Sequence, residues 1–181
     1  MLKRSTLLIP LVAVMTLAMT PAAQAQDAPP FGDPDNVAYA AQVWAQMDGY
    51  RHWKMTTPVY KGQSPHGAYL RLYSSFVTVD GAARPIIVKE NYGGRGVTAE
   101  AATSDPDTWL KAVTIMLQRE TGYDADNDNW FWVKYAPDGS VMSNDKGAQL
   151  AGRVAKGMPA GCIACHTNAK GGDYLFVNDE E

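Results

Sequence analysis

Hydrophobic residues recur at intervals of three and four between residues 35 and 48, which is the period of one side of an α-helix. The apolar positions are Val37, Ala40, Ala41, Val43, Trp44 and Met47. Pro34 suits the first turn of such a helix, and Gly49 suits its end. The pattern therefore predicts one amphipathic helix in this region.

From Ala68 onward the hydrophobic period changes to two, which is typical of strands with one buried face. Four strands are predicted, over residues 68–73 with 76–79 as an extension or the start of a turn, 86–92, 112–117 and 130–135. Asp80-Gly81 and Pro137-Asp138-Gly139 have the composition of turns. Pro85 fits the start of the second strand, where a missing amide is tolerable.

The short links between these strands favour one antiparallel sheet, because strands of this length bury a core only when they share a sheet. A second, shorter helix is predicted over residues 146–156, where Leu150 and Val154 lie four residues apart. The predicted fold class is therefore α+β, with an N-terminal helix and an antiparallel sheet.

The first 25 residues have the organisation of a secretory signal peptide. Lys3 and Arg4 form a basic start, residues 7–19 form a short apolar core, and Ala23-Gln24-Ala25 is a small-residue cleavage site. The apolar run is too short to span a membrane. Residues 26–181 are then expected to form a single exported domain, which is periplasmic if the source is a Gram-negative bacterium.

The balance of basic and acidic residues limits which kinds of partner are expected. The whole chain carries 16 basic and 19 acidic residues, and no basic patch indicates nucleic acid or anionic lipid. After the signal peptide no apolar run reaches spanning length, so a soluble protein without a membrane partner is expected.

The most informative motif is Cys162-Ile163-Ala164-Cys165-His166. Two thiols three positions apart, followed at once by an imidazole, form the attachment motif of a c-type haem. The cysteines add to the vinyl groups, and His166 becomes the axial ligand of the iron. The motif predicts one covalently bound haem c.

Three other interpretations of the motif are weaker. A zinc site needs further ligands at compact spacing, but the chain has only these two cysteines, and His52 and His66 lie far upstream. A redox dithiol needs a strand before the motif and a helix after it. An isolated disulfide leaves His166 without a role.

The acidic loop over residues 122–129 superficially resembles a calcium site, since Asp124, Asp126 and Asp128 alternate. Asn129 stands where the loop glycine of such sites is required. An exposed connection between two strands is therefore the preferred interpretation.

Lys89 is notable for its position in the second predicted strand. In an alternating strand it shares a face with Ile87, whereas Glu90 shares the other face with Ile86 and Val88. One of the two charges is therefore expected to point inward. A buried lysine is costly unless it is paired or neutral, and the alternative is an edge-strand lysine that reaches water.

Several segments together resemble the cytochrome P-460 family and the related cytochromes c′-beta. They are residues 50–53 (Tyr-Arg-His-Trp), 87–90 (Ile-Val-Lys-Glu), 129–135 (Asn-Trp-Phe-Trp-Val-Lys-Tyr), 161–166 (Gly-Cys-Ile-Ala-Cys-His) and 173–176 (Asp-Tyr-Leu-Phe). The resemblance implies an N-terminal helix and an antiparallel sheet packed on one side of a c-haem, usually in a homodimer.

The resemblance also implies an activity. Hydroxylamine-oxidising members carry a lysine joined to the porphyrin edge, and the matching residue is Lys89. The ligand would be hydroxylamine or a related small nitrogen oxide, with electrons passed to a soluble redox partner such as a cytochrome c. Arg71 is a candidate distal donor. The family's distal acid is not matched clearly, because Gln118 can occupy its place and only Glu120 can substitute.

Two alternatives remain open at this stage. An aromatic lid, with Phe76, Phe131 and Trp132 as candidates, would favour nitric oxide binding as in cytochrome c′-beta. Plain electron transfer would need a sixth iron ligand, for which the candidates are Met116, Met142, Met158, His52 and His66.

Overall fold

The computed structural model describes residues 30–178 and shows an α+β fold built on one antiparallel sheet. The helices are α1 (Pro34–Gln46), α2 (Ala99–Ser104), α3 (Pro106–Trp109) and α4 (Cys162–His166), and short 3₁₀ turns span Tyr50–His52, Ala125–Asn127 and Phe176–Asn178. The strands are β1 (Met55–Thr56), β2 (Tyr60–Lys61), β3 (Tyr69–Val79), β4 (Ala82–Tyr92), β5 (Leu110–Gln118), β6 (Trp130–Tyr135) and β7 (Ala151–Gly152). The predicted signal peptide lies outside the described residues.

The strands follow the order β1-β3-β4-β5-β6-β7, and β2 also pairs with β3. Every pairing is antiparallel. The predicted single sheet is thus confirmed. Within residues 30–178, no helix is long and apolar enough to span a bilayer.

The register sorts alternate side chains into two faces. On one face, which we name the α1 face, Val88, Ile115 and Val133 lie side by side and join a core with α1. On the other, the α4 face, Met116 and Trp132 lie side by side and pack with the segment around α4. A single sheet therefore separates two apolar clusters.

The N-terminal helix forms as its pattern predicts. Asp33 caps it, accepting a hydrogen bond from the backbone amide of Asn36 at 2.8 Å, and Pro34 occupies the first turn. The Tyr135 hydroxyl donates to the Ala40 carbonyl at 2.7 Å and fastens α1 to β6. Gly49 follows the helix with a φ of 69°.

The predicted strands are present, with longer bounds for three of them. Residues 69–79 form one continuous strand, and the Asp80-Gly81 turn connects it to β4. The second strand begins at Ala82 rather than at Pro85. The missing amide of Pro85 is tolerated because β4 pairs with β5 only from Ile86 onward.

The predicted helix over residues 146–156 is wrong. This segment contains β7 and a series of turns, because Gly147, Gly152 and Ala155 have φ values of 81°, 116° and 66°. The Asn144 side chain accepts hydrogen bonds from the amides of Lys146 and Ala148, which favours a turn over a helix. The four-residue apolar spacing was too short a signal to decide.

The acidic loop before β6 is anchored more firmly than its composition indicates. Asp124 is buried and forms an ion pair with Lys156 just upstream of α4. Asn127 donates to the same carboxylate at 3.0 Å. The expected exposed connection therefore holds for Asp126 but not for Asp124.

Candidate functional site

A cleft lies between the α4 face of the sheet and the segment that carries α4. Its cavity volume is about 40 Å³. Its walls are mainly apolar, with Leu72, Ile87, Met116, Trp132 and Leu175 among them. Its polar side chains are His66, Lys89, Thr114, Cys162 and His166.

The attachment motif forms a short helix that places two of its three functional groups at this cleft, and Cys165 is exposed. Cys162 and His166 are one helical turn apart in α4, and both line the cleft. Gly161 precedes the helix with a φ of 129°, and a Cβ there would overlap the Ala155 side chain. The chain can therefore enter the motif only through a glycine.

His166 is oriented by a backbone contact. Its Nδ1 lies 2.7 Å from the Tyr174 carbonyl oxygen, so Nδ1 carries the proton and donates it. The Nε2 lone pair is then left available to a metal. Burial, followed by the charge of Lys89, lowers the pKa of His166 to about 4, so the imidazole is neutral at neutral pH.

Lys89 lies on β4 in the floor of the cleft, beside Leu72 on one strand and Thr114 on the other. Burial lowers its pKa to about 8, although attraction to the Cys162 and Cys165 thiols opposes this. Its Nζ lies 3.0 Å from Nε2 of His66. The inward lysine is thus paired with an imidazole.

The family model described as Cytochrome P460 matches residues 47–177, which include the whole cleft. The chain belongs to the cytochrome P460 family. It is therefore a c-type haem cytochrome, as the motif and the resemblance predict. No curated protein and no solved structure is significantly similar to it.

The residues of this cytochrome P460 cleft fit a haem c. Two thiols and a neutral imidazole with a free Nε2 are the donor set that the group requires. The Trp132 Nε1–H is buried in the wall and has no hydrogen-bond partner among the described residues. Such an orphaned donor suits a polar group of a bound molecule.

Glu90 lies beside Lys89 in sequence but on the α1 face. Its side chain is 0% exposed. Its carboxylate accepts hydrogen bonds from the Tyr50 and Tyr73 hydroxyls at 2.7 and 2.9 Å, from Arg51 Nε at 2.6 Å, and from the Tyr92 hydroxyl. Glu90 is therefore fully buried on the α1 face and Lys89 is half-buried on the α4 face, where one inward charge was expected.

Arg71 is not brought into the cleft. It pairs with Glu90 in the sheet register and so lies on the α1 face. Its Nε donates to the Thr57 carbonyl at 3.2 Å, and its guanidinium lies 5.3 Å from the Tyr73 ring centre. The structure thus gives Arg71 edge-strand partners at a distance from His166.

Glu120 is also placed away from the cleft. It follows β5, its side chain is half exposed, and it forms ion pairs with Arg84 and Arg119 at 3.3 and 3.0 Å. Gln118 lies at the end of β5 and donates to the Asp128 carbonyl at 3.1 Å. No carboxylate is among the cleft-lining residues of the described chain.

Two polar residues of the site were not identified from the sequence. Asn91 donates to the Thr114 hydroxyl at 3.2 Å and to the Lys89 carbonyl at 3.0 Å, which fixes the floor of the cleft. Strand alternation could have indicated them, since Asn91 follows Lys89 by two and Thr114 precedes Met116 by two. Their proximity depends on the β4–β5 register.

Proposed function

We propose that the cleft holds one haem c, bound through the thiols of Cys162 and Cys165 and ligated by His166. The observation that carries this proposal is the His166 imidazole, whose Nδ1 is held by Tyr174 while its Nε2 is free. Covalent attachment fixes the group against the α4 face of the sheet, where the apolar walls limit the access of water.

We propose further that the protein binds and oxidises hydroxylamine or a related small nitrogen oxide. When bound, haem c supplies an iron that takes the nitrogen ligand and accepts its electrons. Lys89, whose counterpart in hydroxylamine-oxidising relatives is joined to the porphyrin edge, lies in the floor of the cleft beside that group. The electrons would leave to a soluble redox partner such as a cytochrome c.

A second candidate function is the binding of nitric oxide without turnover. Its support is the mainly apolar lining, together with the absence of a carboxylate among the described cleft residues. An uncharged gas enters such a site easily, whereas oxidation of hydroxylamine needs a proton acceptor near the ligand. The candidate acid Glu120 does not supply one from its observed position, and Gln118 is a neutral amide.

Steady-state turnover with hydroxylamine and an artificial electron acceptor separates the two functions. The holoprotein is expected to reduce the acceptor, and Lys89→Ala is expected to lose most of that rate while retaining haem. His52→Ala is the matched control, since His52 is exposed and away from the cleft. A holoprotein that binds nitric oxide but never reduces the acceptor would contradict the oxidase proposal.

We also infer that residues 1–25 are a cleaved signal peptide and that the protein acts in the periplasm. Attachment of haem c in bacteria takes place outside the cytoplasm, which agrees with export. The N-terminal sequence of protein recovered from a periplasmic extract should begin at Gln26. A start at Met1 in the mature holoprotein would refute this inference.

A further inference from the structure

A second imidazole lies close to His166 in the cleft. The ring centres of His66 and His166 are 6.0 Å apart, and the ring planes are inclined at 80°. Two imidazoles that ligate one metal from opposite sides have ring centres about 6 Å apart, because each metal–nitrogen bond is about 2.0 Å long. The observed spacing therefore fits a pair of axial ligands.

The backbone holds His66 in this position. It lies in the turn between β2 and β3, where its amide donates to the Gln63 carbonyl and the Gly62 amide donates to the Ala68 carbonyl, both at 2.8 Å. Gly67, the next residue, packs so closely on β4 that a Cβ would overlap the Tyr92 backbone. His66 is thus presented to the cleft by a tightly packed turn.

The Lys89 amine is hydrogen-bonded to the nitrogen of His66 that would be needed to ligate a metal. Lys89 Nζ lies 3.0 Å from His66 Nε2. An ammonium group has donors only, so Nε2 accepts this hydrogen bond with its lone pair. The same lone pair cannot at once accept from Lys89 and bind a metal.

The position of Lys89 makes this contact persistent. Lys89 is in the middle of β4, paired with Leu72 of β3 and Thr114 of β5, so its backbone is held on both sides. The backbone of His66 is held by its own turn, so its imidazole moves by rotation of the side chain. Loss of the Lys89 amine would therefore free His66 rather than displace the strand.

We propose that His66 is a latent axial ligand of the haem iron and that Lys89 keeps its Nε2 away from the metal. This proposal rests on the haem c and the His166 ligation of the proposed function. Lys89 then has a role apart from any bond to the porphyrin, because it keeps one iron position open to small nitrogen ligands. A methionine such as Met116 is not required as the latent ligand.

The test compares Lys89→Leu with the double variant Lys89→Leu/His66→Ala, both as ferric holoproteins. Leucine cannot donate a hydrogen bond to His66, and unlike methionine it cannot ligate the iron. The single variant is expected to lose the high-spin electron paramagnetic resonance signal and gain a low-spin bis-imidazole signal. The double variant is expected to return to high spin, and neither can carry a Lys89–porphyrin bond that would confuse the comparison.

Ligand binding gives a second readout. If His66 occupies the iron nine-tenths of the time in Lys89→Leu, the affinity for carbon monoxide in the ferrous state falls about tenfold, and His66→Ala restores it. Lys89→Arg keeps a cationic donor and is expected to stay high-spin. His52→Ala is expected to resemble the wild type.

Equal spin states in the single and double variants would overturn the proposal. So would a wild type that is already low-spin and becomes high-spin in His66→Ala, because Lys89 would then fail to restrain His66. If Lys89→Leu matures without haem, Lys89→Ala provides the same comparison. These spectra need no hydroxylamine, so absence of turnover would refute only the proposed oxidation.

Discussion

Glu90 shows how one residue joins three parts of the chain. Its buried carboxylate accepts hydrogen bonds from Tyr50 and Arg51 after α1, from Tyr73 on β3 and from Tyr92 on β4. Arg51 extends the network to Asp107 of α3, at 2.6 Å. Because Lys89 is the preceding residue on the same strand, this network also fixes the strand that forms the floor of the cleft.

Glu90→Gln should lower the free energy of unfolding by about 3 kcal/mol. The substitution leaves Arg51 without its buried ionic partner, and it replaces a carboxylate oxygen that accepts from the tyrosine hydroxyls with an amide group that donates. Urea denaturation of the holoprotein measures the loss. Glu120→Gln is the matched control, since the half-exposed Glu120 pairs at the surface and should cost less than about 1 kcal/mol. Equal losses would contradict the structural role of Glu90.

The sequence was most informative for residues whose chemistry depends on local spacing. Roles in haem attachment could be proposed for Cys162, Cys165 and His166 because the attachment motif depends only on their spacing along the chain. Alternation along β4 separated Lys89 from Glu90, but it could not show that Glu90 is the more deeply buried of the two. The sequence of β3 does not indicate which of its faces packs against α4. Arg71 could therefore be taken for a residue of the cleft, although it lies on the α1 face.

At the scale of elements, two turns require glycine for different physical reasons. Gly81 closes the β3–β4 hairpin with a φ of 73° and open space around its Cα, whereas Gly139 has a φ of 87° and packs against Trp44 of α1. The first glycine is needed only for its backbone conformation. The second is also needed for its lack of a side chain.

Gly81→Ala is expected to cost about 1 kcal/mol through backbone strain alone. Gly139→Ala should cost at least about 1 kcal/mol more, because its methyl group would overlap the Trp44 indole ring. Thermal or urea unfolding of both variants checks the order. Equal losses of stability, or a larger loss in Gly81→Ala, would contradict this expectation. The turn that contains Gly139 would then be able to shift away from Trp44 of α1 at little cost.

Elements with a sustained period were predicted well, and short irregular elements were not. Helix α1 and strands β3 to β6 each run for six residues or more, so their hydrophobic pattern is long enough to carry the assignment. The segment 146–156 has only two large apolar residues, Leu150 and Val154, at helical spacing and several left-handed positions. Those backbone conformations are set by Asn144 and by contacts with Pro30 and β6, which lie outside a local window.

For the whole molecule, the buried tyrosines predict alkaline sensitivity. Burial, and then the Glu90 carboxylate, raise the pKa of Tyr50 and Tyr73 above the ordinary value, and burial with a hydrogen bond to Glu90 does the same for Tyr92. The unfolded chain releases these protons above about pH 10, whereas the folded chain retains them. Stability is therefore full below that pH and falls as pH rises through it.

The free energy of unfolding from urea titrations at a series of alkaline pH values should show this decline. Tyr73→Phe removes one of the three protons and should make the decline shallower. A constant free energy through pH 10, or an unchanged slope in the variant, would show that the tyrosines ionise in the folded state.

Two exposed apolar residues bear on assembly. Met55 and Phe76 are 69% and 68% exposed, and the register places both on the α4 face near the sheet edge. Exposed apolar patches commonly mark protein interfaces, which agrees with the homodimer that the family resemblance implies. Phe76→Lys should shift the holoprotein from dimer to monomer in sedimentation experiments, and a wild-type monomer would contradict the proposal.

The central claim is that one haem c occupies the cleft between the sheet and α4. Proteolysis of the holoprotein followed by mass spectrometry tests it most directly. The account predicts that the peptide containing Cys162 and Cys165 carries a single haem through both sulfur atoms, with the Lys89 peptide attached if the porphyrin bond forms. Colourless protein from a host able to mature cytochromes c, with both thiols free to titrate, would contradict the account.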